Sequence, residues 1–345
     1  MLRSAIDSLF AGRRERAQRQ PPKATPTLAE MYLAAMRTHE RRAAILHWAE
    51  ERWSETPDWR LDRQVIRLAL FLRERFGLKP VDRVAILSGV CREWALAELA
   101  SLVQGAVPVA LDPVLPEGVL AKMLTRLAPR AVFVNDEATL VRFERIRGEL
   151  PGPIGIIVFE AAETVGQSVL SEALDLGGTL DTPERAQAFR ARAREVKPEA
   201  EAVAFPEDAE GSAPFTFLTH QDAVGRLVRL WSNDVPQQGD LTYLASGPAS
   251  QGALLALLAA IGDGLSGVAF GTAGREAAEI AALSPQRIVA SSRLLRTHVA
   301  QASGSKAARQ ALGGRARWVH PVIEQPEDAA ALAPLNDVVT MDLQI

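Results

Sequence analysis

The sequence predicts an α/β fold built on mostly parallel sheets, and three observations carry the prediction. Short, almost wholly apolar runs recur at 83–88 (RVAILS), 106–111 (AVPVAL), 131–135 (AVFVN) and 154–159. Each has the length of a strand and an apolar middle, as expected of strands covered on both faces. Segments with helical spacing of apolar residues lie between the runs, and glycine or proline separates the two kinds.

Taken in order, Thr27 and Glu30 have capping-box spacing, and Leu28, Met31, Tyr32, Ala35 and Met36 follow with a helical period. Residues 45–57 read as a strand and turn. A helix from Leu61 to Phe76 ends at Gly77. A helix over 93–104, closed by Gly105, joins the strands 83–88 and 106–111, and a helix over 115–127 leads to the strand 131–135. Residues 160–204 are a charged, alanine-rich connection with one helix near 183–196. A weak strand at 202–205, an acidic loop and a strand ending at Thr219 come next, and then a helix running to about Trp231. Residues 239–244 and 267–270 read as strands around an apolar helix at 253–261; a helix begins near Glu276, and Arg317 to Val319 resembles a core strand. The expected organisation is a basic amphipathic segment (1–24), a first α/β subdomain (25–160), a connecting segment (161–204) and a second α/β subdomain (205–345).

With 345 residues, 48% hydrophobic and 23% charged, the chain has material for a large core. The single Cys91 excludes an intramolecular disulfide framework and a cysteine-built zinc site. No run reaches the roughly 18 apolar residues of a membrane span, and no secretory pattern follows Met1, so a cytoplasmic location is expected. The net charge of −3 is uneven. Six basic residues (Arg3, Arg13, Arg14, Arg16, Arg19 and Lys23) stand against Asp7 and Glu15 near the start, which leaves the remainder about seven charges acidic and argues against nucleic acid as a partner. Leu2, Ile6, Leu9 and Phe10 would share one face of a short helix over 2–19. Such a helix suits docking on a partner or peripheral contact with an anionic membrane; a frayed end before Pro21 and Pro22 is the plain alternative.

The segment 205–220, FPEDAEGSAPFTFLTH, is the most informative. Glu207, Asp208 and Glu210 place three carboxylates within four residues, and no Lys or Arg lies between Pro206 and His220. A phosphate cradle needs free N–H donors and positive charge. Each like-charge contact at about 4 Å from a triphosphate costs on the order of 4 kcal/mol before screening. Pro206 and Pro214 also remove two donors.

The runs 59–72 (WRLDRQVIRLALFL), 77–88 (GLKPVDRVAILS), 93–100 (EWALAELA) and 105–116 (GAVPVALDPVLP), in that order, resemble the N-terminal part of the large domain of adenylate-forming acyl-CoA synthetases, in the long-chain fatty acid branch of the AMP-binding superfamily. Residues 196–205 resemble the lead-in to that family's phosphate loop, Y-T-S-G-T-T-G-x-P-K-G-V-M-L-T-H. Aligned on L-T-H, Gly211 falls on a family glycine, and Thr219 and His220 keep the family's residues. Glu207, Ala209 and Glu210 stand where the family has hydroxyl side chains, and Pro214 stands at its lysine. The resemblance further implies that the strand 239–244 leads to the acyl substrate, which makes Tyr243 and Pro248 acyl-groove candidates, with Pro248 at the family's histidine. The family's later Y-G-x-T-E and T-G-D segments and its late lysine have no counterpart, so the sequence reads as a truncated, motif-degenerate member without the C-terminal lid domain.

No other constellation competes. The five histidines (His39, His47, His220, His298 and His320) lack metal-ligand spacing, Ser246 and Ser250 lie in no nucleophile elbow, and Gly271 to Gly274 reads as an ordinary strand–helix turn. The expectation is therefore a non-catalytic, synthetase-like protein with no catalytic residue, cofactor or metal. It would act as a binding, scaffold or regulatory partner of a full-length synthetase or of another copy of itself, and would keep a fatty acyl groove. The alternatives are a subunit of a split acid–AMP ligase, needing a partner chain together with ATP and Mg, and a fatty-acid-binding protein.

Overall fold

A computed structural model describes residues 25–37, 40–160, 168–207, 211–245, 250–299, 305–322, 332, 335 and 339–341. They fall into two compact units, each discontinuous in sequence: 25–34 with 59–225, and 35–58 with 226–345. The basic segment 2–19 lies outside the described residues.

The unit containing 59–225 holds a parallel sheet in the order β4-β3-β5-β6-β7 (β3 Arg83–Leu87, β4 Val107–Leu111, β5 Ala131–Asp136, β6 Gly155–Glu160, β7 Ser168–Val169) and an antiparallel ribbon of β8 (Glu201–Pro206) and β9 (Phe215–Thr219). Val84, Ala85, Ile86 and Leu87 are all inaccessible, as a strand covered on both faces requires. The long helix Asp58–Phe76 buries Leu61, Val65, Leu68 and Leu72 along one stripe, and it ends where Gly77 takes a positive φ of 64°. The helix Arg92–Val103 is buried on all faces from Trp94 onward, and Cys91 Sγ caps it by accepting from the Trp94 N–H. Val109, Leu124, Val132, Phe143 and Val158 centre the core.

The other unit holds a sheet ordered β14-β13-β12-β10-β11-β1-β2, parallel except for its β2 edge (β1 Ile45–Ala49, β2 Arg52–Thr56, β10 Leu241–Ala245, β11 Gly267–Phe270, β12 Arg287–Ser291, β13 Trp318–Val322, β14 Thr340–Met341). β1 and β2 turn at Glu50 and Glu51, both at positive φ, the conformation that matches strand twist in a tight hairpin. β1 then lies parallel to β11, with Ile45 opposite Val268. Arg41, just before β1, fixes the arrangement. It pairs with buried Asp58 at 2.8 Å, and its guanidinium donates to the carbonyls of Ala260, Ile261 and Ser266, the first two from the last turn of the helix Gln251–Gly262.

This division differs from the contiguous one read from the sequence. The hairpin at 45–56 leaves the N-terminal region for a sheet formed more than 180 residues later, and the ribbon β8–β9 packs with the unit that precedes it rather than opening a new one. The stretch 160–204 is also more structured than a connection. Besides the helix Pro183–Glu195 it contains β7 and a helix over Leu170–Leu180.

Candidate functional site

Glu207 and residues 211–214 lie at the end of the β8–β9 ribbon, in which Phe205 pairs with Thr216 and Pro206 with Phe215. Alternate side chains of the ribbon (Ala204, Phe215 and Phe217) pack against the parallel-sheet core, which sets the loop's position. Gly211 is required where it stands. Its φ is +67°, and a Cβ there would meet Met123 Cγ at 3.0 Å and Val119 Cγ1 at 3.3 Å.

Arg126, in the last turn of the helix Glu117–Leu127, grips this loop. Its Nη1 donates to the carbonyls of Gly211 at 2.9 Å and Ala213 at 2.6 Å, and its Nη2 donates to Ser212 at 3.1 Å. Three successive carbonyl oxygens thus face a guanidinium. Glu207 accepts a hydrogen bond from the Thr216 hydroxyl across the ribbon. Pro214 offers no N–H.

The two family-like residues at the end of β9 serve the helix that follows, His220–Asn233. Thr219 is its N-cap: Thr219 Oγ1 accepts from the Asp222 N–H at 3.2 Å and donates to Asp222 Oδ2 at 2.6 Å. His220 is inaccessible, and neither ring nitrogen has a hydrogen-bond partner among the described residues; burial lowers its pKa to about 4, so the ring is neutral at physiological pH. Gly211, Thr219 and His220 therefore act in backbone geometry, capping and packing.

Tyr243 sits in the core of the other unit with no accessible surface, and its hydroxyl donates to Glu279 at 2.8 Å. Glu279 also accepts from the Thr272 N–H, so the pair ties β10 to the turn after β11. Tyr243, the acyl-groove candidate, is a core residue in this structure, with its ring and its hydroxyl both on internal contacts. Asp208, Glu210 and Pro248 lie outside the described residues. Among the described residues no cluster of three or more histidine, cysteine, aspartate or glutamate side chains could hold a metal ion, and no helix is long and apolar enough to cross a membrane.

Sequence reasoning missed Arg126. A basic residue in the last turn of a helix is an ordinary complement to the helix dipole, and nothing local marks it as the anchor of a loop 85 residues away.

Residues 34–205 match the family model described as AMP-binding enzyme. Through this segment the chain belongs to the AMP-binding, adenylate-forming family. A search of curated proteins finds none that matches. Among solved structures, a protein assigned as a long-chain-fatty-acid CoA ligase from Rhodopseudomonas palustris superposes with a TM-score of 0.72 at 18% identity, over 91% of this chain and 74% of that one. A luciferase-like enzyme from the mealworm Zophobas morio gives 0.69 at 15% identity, over 94% and 72%. The A domain of a carboxylic acid reductase from Segniliparus rugosus gives 0.67 at 14% identity, over 99% and 64%. At these identities the likeness is one of fold: an α/β architecture with mainly parallel sheets, matching the N-terminal part of adenylate-forming enzymes.

Proposed function

We propose that this family member is a non-catalytic relative of the long-chain acyl-CoA synthetases that acts by binding. The observation that carries the reading is the Arg126 grip. The loop that would cradle phosphate instead turns the carbonyl oxygens of Gly211, Ser212 and Ala213 toward the chain's own Arg126, so the charge Arg126 could lend to a phosphate is already shared among three acceptors. Glu207 adds a carboxylate, Pro214 removes a donor, and Thr219 is committed to its helix. Phosphoryl and adenylyl transfer depend on donors aimed at developing negative charge. These residues do not fit a triphosphate.

A protein that keeps the scaffold without the chemistry would serve as a partner for a full-length synthetase or for a second copy of itself. The test is acid-dependent ATP–pyrophosphate exchange with medium- and long-chain fatty acids. The expected rate equals the enzyme-free blank. Exchange catalysed by this chain alone would sink the proposal, and exchange that arises only when a second polypeptide is added would move the reading to a split ligase.

A further inference from the structure

Away from the loop, in the unit containing 59–225, a depression of about 260 Å³ opens at the N-terminal end of β6. Arg75, Arg130 and Arg147 line it, together with Phe76, Ile154 and Ile156. Among the described residues no acidic side chain does. The floor is rigid. The Phe76 ring lies so close to Gly155 that a Cβ there would sit 2.3 Å from Phe76 Cγ, and Phe71 braces Phe76 edge-on at 5.4 Å between ring centroids. Arg130 is held in place by donating from Nε to the Phe76 carbonyl at 2.7 Å, which leaves its terminal amino groups for other partners. Arg147 pairs with Glu144 at 3.0 Å, whereas Arg75 joins none of the described ion pairs.

Arginines in the last turns of helices complement the helix dipole, which accounts for Arg75 and Arg147 singly. It does not account for their meeting Arg130 over one apolar floor. Three guanidiniums and one paired carboxylate leave about two positive charges, the complement of a phosphate monoester carrying about −1.5 to −2 at neutral pH. The cavity lies just below the usual size range of ligand pockets, so the ligand is small.

We propose that Arg75, Arg130 and Arg147 form a binding site for a small organic phosphate monoester whose apolar part rests on Phe76 and Ile154. The proposal is independent of the reading of the loop. The test is titration calorimetry of the full chain near pH 7.5 in about 0.15 M salt, where unfocused surface charge is screened beyond about 8 Å. Phenyl phosphate is the probe and benzoate the monoanionic comparison. The expected result is saturable phenyl phosphate binding at least about tenfold tighter than benzoate, and weakened at least about tenfold in the double variant Arg75→Gln/Arg147→Gln at an unchanged melting temperature. If the double variant fails to fold, Arg75→Gln alone, on an exposed side chain, must still weaken binding severalfold. Absence of saturable binding, equal affinity for benzoate, or undiminished binding in a folded variant would each overturn the proposal.

Discussion

His220 and Glu98 are buried titratable side chains, and they pull stability in opposite directions with pH. Burial lowers His220 to about 4 from an ordinary 6.5. The unfolded chain therefore binds the extra proton first, and stability present above pH 6.5 is lost as pH falls toward 4, by on the order of 3 kcal/mol. His220→Phe removes two unpaired nitrogens, so at pH 7 its stability is expected within about 1 kcal/mol of the parent, with a flatter acid limb in urea unfolding. An unchanged acid limb would contradict this. Glu98 behaves in the reverse sense. Burial raises its carboxyl from 4.5 to about 8, an effect the neighbouring Trp94 indole only partly offsets, so the folded state holds a proton that the unfolded state has released. Its contribution to stability falls as pH climbs from 4.5 to 8. Glu98→Gln is expected to stabilise by about 2–4 kcal/mol at pH 8 and by almost nothing at pH 4, read from the same unfolding curves.

Among the elements, the decisive contact joins the helix Glu117–Leu127 to the tip of the β8–β9 ribbon through Arg126. Arg126→Ala releases three carbonyls, with an expected loss of about 1–3 kcal/mol and faster cleavage by a glutamate-specific protease at Glu207 and Glu210. Arg126→Lys keeps the charge but cannot span three acceptors and should fall between. Cleavage at the parent rate in Arg126→Ala would show that the ribbon holds its loop unaided. Legibility in the sequence follows the same division between local and distant contacts. β3, β4, β5 and β6 were readable because they are short apolar runs buried on both faces. The helix Leu170–Leu180 was not, since Gly177 and Gly178 are poor helix formers. Packing overrides that propensity: a Cβ at Gly177 would lie 2.2 Å from the Arg67 carbonyl, so the glycine is there to let two backbones approach. The pairing of β1 with β11 carries no local signal, because hairpin and partner are separated by most of the chain.

At the scale of the whole molecule, the family resemblance and the α/β class were legible together, because both rest on the scaffold strands and helices of residues 34–205. The altered loop was legible as a change in charge: Glu207, Asp208 and Glu210, with no basic residue before His220, already speak against a triphosphate. How the loop is held instead was not legible, since Arg126 becomes its anchor only in the folded chain. The same applies to Tyr243, whose place in a strand suggested a groove and whose hydroxyl turns out to serve Glu279. The central claim is that a family scaffold stands here without its nucleotide site. Calorimetric titration of the full chain with Mg·ATP, followed by an acyl-AMP analogue, tests it most directly. The account predicts no heat of binding in either titration, and micromolar binding of either ligand would contradict it.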